Sequence, residues 1–175
     1  MSVIGNQPSN PNFLSPLGFN FAIKRLPNVA FFLQNVNLPN VNLGETQIPS
    51  PFIRVPVPGD HLEYGELTLQ FRVDEDMLNY REIYDWLVGL GSPESFSQYK
   101  TLKDNSDLPG SGTGLLSDAT LTILTSAQNP NIEVRFKDLF PTTLSDFELS
   151  YAGTDVDYVL ATASFKFLSY TIVAL

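Results

Sequence analysis

The residues in this sequence that could do chemistry are few: an acidic run at Asp74-Glu75-Asp76, a second set at Asp104, Asp107 and Asp118, an Asp155/Asp157 pair, and a single histidine, His61. Clustered carboxylates suit a hard cation or acid–base work. Three consecutive acidic residues cannot all face one ion, however. Just ahead of a helical pattern they read instead as an N-cap and an acidic first turn that suits the helix dipole. The second set surrounds Gly110-Ser111-Gly112-Thr113-Gly114. It has neither the spacing of a calcium loop nor the Gly-Lys-Ser/Thr ending of a phosphate loop, so a flexible connection is expected. Thr154-Asp155-Val156-Asp157 reads as a hairpin turn. His61 stands beside Glu63 on an expected loop tip, where an imidazole is a surface or interface residue. There is no G-x-S-x-G nucleophile signature for it to serve. The chain has no cysteine, which removes disulfides, thiolate metal sites and cysteine nucleophiles. The residues therefore offer no catalytic constellation, no metal site and no cofactor site. The expectation is a protein that is not an enzyme.

Composition bounds what remains. The 175 residues carry 10 basic against 19 acidic side chains, a net charge of −9, which disfavours a surface that grips phosphates broadly. Charged residues are only 17%, below the roughly 25% of ordinary soluble domains, while thirteen Phe and seven Tyr raise the apolar content. Such a chain is expected to hide part of its surface in an assembly. No apolar run approaches the roughly 20 residues of a membrane span, and residues 2–16 lack a signal-peptide pattern. No membrane insertion is expected, and the default is a soluble, unprocessed, intracellularly made protein.

The elements that would position any site follow from periodicity. Residues 1–16 form a Pro/Asn/Ser arm, and residues 17–175 read as one domain. Phe19, Phe21 and Ile23 alternate with polar neighbours as a half-buried strand. After a turn at Leu26-Pro27-Asn28, a second strand over about 30–37 stops at Leu38-Pro39. Residues 40–60 are punctuated by Pro49, Pro51, Pro56 and Pro58, which forbid a regular helix or a central strand. An extended edge hairpin or a projecting loop over about 40–61 remains, with Ile53, Val55 and Val57 on one face and Pro58-Gly59-Asp60 turning the chain. A projecting loop with an apolar face has no purpose in a monomer. Leu67, Leu69, Phe71 and Val73 define the clearest strand. Met77, Tyr80, Tyr84, Leu87 and Val88 then recur at helical spacing, with Ile83 and Trp86 at the margins and Gly89 or Gly91 ending the helix. Residues 92–117 read as a weakly structured connection. Strands follow around Ala119/Leu121/Ile123, Ile132/Val134/Phe136 and Phe147/Leu149/Tyr151, then a long one from about 158 to 172 with Val159, Ala161, Ala163, Phe165 and Phe167 on one face. In that last strand the apolar frame slips near Phe167-Leu168, as a bulge or a crossing between sheets requires. The fold class is mainly β: a small antiparallel β-sandwich or barrel with one helix.

In this order, the F-x-F-x-I strand, Val36-Asn37-Leu38-Pro39, the proline-punctuated projection, Val55 to Asp60, the Leu67 to Asp76 strand and the helix with Tyr84-Asp85-Trp86 resemble the tail tube proteins of contractile-tailed bacteriophages. The baseplate-proximal tube initiators that share their fold are included. The resemblance covers residues 17–91 by motif and the later strands by order. It implies a homo-oligomer of hexameric rings stacked into a tube, with sheath, baseplate and tail terminator proteins as partners and localisation in the virion tail. It also implies an acidic lumen through which genome DNA passes without specific binding. By position it makes Leu38, Pro39, Ile53, Val55, Val57, Pro58, Gly59, Asp60 and His61 contacts between rings or subunits. Carboxylates facing the lumen are expected at exposed positions of the longest strands. A carbohydrate-binding β-sandwich, with Trp86 and tyrosines as stacking platforms, is the reading from another class. A tube initiator or sheath-associated protein is the nearer alternative.

Overall fold

Alternation of apolar and polar residues builds two antiparallel layers that share one strand. The computed structural model describes residues 12–49, 51–104, 114–149 and 158–175. The elements in order are β1 (Phe19–Ile23), α1 (Pro27–Phe31), β2 (Leu33–Val36), β3 (Val41–Pro49), β4 (Arg54–Tyr64), β5 (Leu67–Arg72), α2 (Leu78–Gly91), α3 (Phe96–Asp104), β6 (Ser117–Leu124), β7 (Pro130–Leu144), β8 (Leu160–Lys166) and β9 (Ser169–Ala174). The main sheet runs β1-β6-β7-β8-β5-β2, with β9 also on β7, while β3 and β4 pair only with each other.

Strand β7 joins the layers. Its first part pairs with β6 on one side and β9 on the other, and its last residues, from Phe140, pair with β8. Between the two parts Asp138 takes φ 55°, a left-handed conformation that Asp tolerates better than most residues. The apolar frame slip expected near Phe167-Leu168 is the break between β8 and β9, which pair with different parts of β7. One strand thus feeds both layers, as the slip required.

Phe21, Ile23, Ala119, Leu121, Val134 and Phe136 point inward from one layer, and Leu67, Leu69, Phe71, Ala161, Ala163 and Phe165 from the other. Each large apolar side chain buried this way contributes about 1.5–3 kcal/mol relative to exposure. Helix α2 closes this core with Ile83 and Trp86, and the Trp86 indole N–H donates to the Leu115 carbonyl at 2.9 Å.

Several local expectations are corrected. Leu26-Pro27-Asn28 is not a turn into a strand but the start of α1, with Pro27 in its first turn, where a missing N–H costs nothing. Strand β2 is correspondingly short. Asp74-Glu75-Asp76 do not cap α2: the helix begins at Leu78, with no acidic residue in its first turn and Met77 left-handed at φ 54°. Buried Asn79 satisfies this junction instead. Its Oδ1 accepts from Asp74 N and Tyr80 N, and its Nδ2 donates to the Arg72 carbonyl at 2.7 Å.

The buried face of α2 is Asn79, Ile83, Trp86 and Gly89, while Met77 and Tyr84 are exposed. The helical period is as expected, and its phase is rotated. Part of the expected loose connection at 92–117 is helix α3, whose Leu102 packs on Gly89. Residues 145–149 are not a strand; Phe147 packs edge-on against Tyr80 with ring centroids 5.1 Å apart. Residues 1–11 of the arm, Asp107, Tyr151 and the 154–157 turn lie outside the described residues.

Candidate assembly surfaces

The proline-rich segment folds as a two-stranded hairpin that, among the described residues, has no strand on either side of it. Its register places Val41 opposite Tyr64, Leu43 opposite Leu62, Thr46 opposite Val57 and Ile48 opposite Val55. The chain reverses between Pro49 and Arg54, not at Pro58-Gly59-Asp60. That triplet lies inside β4, where residues 59–61 face the single residue Gly44 across a bulge. Gly59 is required there, because a Cβ would stand 2.5 Å from the Gly44 carbonyl oxygen. A turn-like sequence inside a strand is what an irregular bulge of several residues needs. The prolines at 49 and 51, not the one at 58, mark the reversal.

Every residue of β3 is exposed. Leu43, Ile48, Val55 and Leu62 are all about half exposed or more, and Phe52 at the tip is 96% exposed with Ile53 beside it. Ile48 and Val55 are cross-strand partners, as are Leu43 and Leu62, so the exposed apolar side chains fall in cross-strand pairs on either side of the bulge. Of the expected contact residues, Ile53 lies in the reversal, Val55, Val57, Pro58, Gly59, Asp60 and His61 lie in β4, and Leu38 is exposed just before β3. Pro39 is buried, and its carbonyl accepts from the Tyr170 hydroxyl at 3.3 Å. It anchors the root of the hairpin to β9. Phe52, Ile48, Leu43 and Leu62 were not singled out from the sequence. Apolar residues on both sides of the Pro49/Pro51 reversal were the available signal.

The polar candidates do not converge. His61 is on β4 rather than a loop tip, with its Nδ1 against the Asp60 carboxylate, both largely exposed. No group of three or more potential ligands able to hold a metal ion occurs among the described residues, and no helix among them is long and apolar enough to cross a membrane. Asp118 pairs with Lys24 at 3.4 Å. A cleft of 480 Å³ lies between α2 and α3, lined in part by Arg25, Glu82, Asp85 and Trp86. The Arg25 guanidinium sits 5.1 Å over the Trp86 ring and donates to the Gly114 carbonyl at 2.7 Å, with its pKa lowered by burial. Burial raises the Glu82 carboxyl, partly offset by the Asn28 amide that donates to it at 2.6 Å. These groups tie α1, α2 and the segment around Gly114 together.

The acidic excess is not on the outward faces of the strands. On the layer formed by β1, β6 and the first part of β7, the charged side chains at outward positions are Lys24, Asp118, Glu133, Arg135 and Lys137, with Arg135 bonded to Glu133 at 2.6 Å. On the other layer Thr68, Gln70, Thr162 and Ser164 lie in register between Arg72 at one end and the Glu66–Lys166 pair at the other. The longest strand, β7, offers Glu133 alone as an outward carboxylate in its first part. Eight of the 19 carboxylates lie in the hairpin (Glu45, Asp60, Glu63), the connection before α2 (Asp74, Glu75, Asp76) and α2 itself (Glu82, Asp85).

This two-layer antiparallel β-fold, closed by a helix and carrying one separate hairpin, is shared with solved chains from contractile injection machines. The chain is similar to one in the sheath–tube complex of an extracellular contractile injection system, PVC, in the extended state (TM-score 0.63, 12% identity, 94% of each chain covered). It is also similar to one in the tube-terminating cap of the anti-feeding prophage (0.60, 12%, 100% of each). A third is in the six-fold symmetrised baseplate of that prophage (0.59, 11%, 89% of this chain and 90% of that one). No family model and no curated protein matches the sequence. The chain therefore has the tail-tube-like fold of these assemblies, as the motif order implied.

Proposed function

We propose that the chain is a structural, non-enzymatic ring subunit of the tube of a contractile tail or injection device. It forms hexameric rings that stack through the β3–β4 hairpin, and it works beside sheath, baseplate and terminator proteins in a virion or tail-like particle. In a phage tail the cargo is genome DNA. The observation that carries this reading is the hairpin: a two-stranded sheet, exposed on all of β3, with large apolar side chains exposed on both strands and at its tip. Isolated hairpins are marginal in water, so this one is built to be covered. The fold shared with chains of tube, cap and baseplate assemblies supports the same reading. Residues 17–175 act as the ring-forming domain, with residues 1–16 as an arm against a neighbouring subunit. The reading includes an acidic lumen through which DNA passes unheld, for which Asp118 and Glu133 are outward carboxylates on the strands.

The carbohydrate-binding alternative loses Trp86 as a platform, because that side chain is 1% exposed and holds the core, and keeps only exposed tyrosines such as Tyr84. Electron microscopy of the concentrated protein tests the proposal. Rings or hollow tubes with six-fold class averages support it, and a stable monomer that binds glycans in a screen overturns it.

A further inference from the structure

The hairpin is asymmetric along its two edges. Proline cannot donate to a ladder, so Pro56 and Pro58, opposite Gln47 and Glu45, must sit where the backbone nitrogen points away from β3. Being two residues apart, both remove donors from the same free edge of β4, the device by which edges are closed to further pairing. By the same alternation, the Glu45 and Gln47 N–H groups opposite them point away from β4, onto the free edge of β3. The β4 edge is closed at Pro56 and Pro58, whereas the β3 edge keeps the Glu45 and Gln47 donors and loses one only at its last residue, Pro49.

The same chain carries a matching receptor. Among the described residues β1 pairs only with β6, and β2 only with β5, so each keeps an edge that no described strand pairs. A groove of 420 Å³ lies between them, lined by Phe19 and Phe21 of β1, Leu33 and Gln34 of β2, and Ala30 and Phe31 of α1. Two unpaired strand edges flanking a groove are a slot for an extended strand. The open strand and the slot lie on different elements of one sequence. Their union is thus head-to-tail between copies, the kind of contact that propagates rather than closing a dimer.

We propose that the open edge of β3 enters the β1/β2 groove of a second copy and pairs there, while the proline edge of β4 stays outside. The inference rests on the stacking role assigned to the hairpin and names the surface that receives it. Because the chain has no cysteine, engineered pairs report this contact cleanly. Gln47→Cys or Glu45→Cys is combined with Gln34→Cys or Asn20→Cys, assembled, oxidised and run without reductant. Amide exchange is followed in the unmodified protein, free and assembled. The expected result is a ladder of cross-linked copies from at least one combination, with exchange at Glu45 and Gln47 slowed at least tenfold on assembly. Assembled tubes with no cross-link and fast exchange at both amides overturn the pairing. Failure to assemble at all overturns the stacking role itself, so the two failures are distinguishable.

Discussion

Asn79 performs at residue scale what the acidic run upstream of it looked suited to do. With one buried side chain it accepts from two backbone N–H groups and donates to the Arg72 carbonyl. Asn79→Ala should therefore destabilise by about 2 kcal/mol or more, since buried backbone groups are left without partners. Denaturant unfolding measures it, and Asp76→Ala is the control, with an expected change below about 0.5 kcal/mol. Glu82 gives a pH signature. Its carboxyl is raised by burial, so the folded state holds the proton more tightly than the unfolded one. Stability then falls as pH rises through the range just above ordinary carboxylate values, and the cost persists at neutral pH. Glu82→Gln should raise the melting temperature at neutral pH, with the gain vanishing on acidification below that range. A gain that grew on acidification would contradict the assignment.

Elements were legible in the sequence where period two met a buried face. Leu67/Leu69/Phe71, Ala119/Leu121 and Ala161/Ala163/Phe165 were all placed correctly as core-facing strand positions, because one-sided burial ties side-chain alternation to register. What misled was chemistry with two uses. Pro58-Gly59-Asp60 has turn composition but forms a bulge, since the close approach of Gly44 makes the same demand for glycine. The buried face of α2 was misphased because it includes Asn79 and Gly89, which hydropathy ranks low. The candidate site was legible as an apolar projection, but not its tip, because the position of the reversal depends on pairing between β3 and β4. Gly89 also gives a test of how α3 docks. A Cβ there would come within 2.9 Å of Leu102, so Gly89→Ala should cost about 1–3 kcal/mol by overpacking. Gly91→Ala, with nothing within 4 Å, is the control. Thermal melts of the two variants check the difference.

For the whole molecule, the core and the hairpin are separable. No hydrophobic residue of 41–63 belongs to the core or packs directly against it, so stability and the proposed assembly draw on different residues. In the proposed assembly the net charge of −9 would keep free subunits apart until apolar contacts overcome it. Assembly should accordingly strengthen with added salt, as screening removes the repulsion between copies. The most direct measurement is sedimentation velocity of the full chain and of a variant lacking residues 42–61, over a rising concentration series. Both should melt cooperatively; the full chain should shift to large, fast-sedimenting species as concentration increases, and the deletion should not progress beyond a monomer or a single ring. A full chain that stays monomeric throughout, or a deletion that assembles as far as the full chain, would contradict the account.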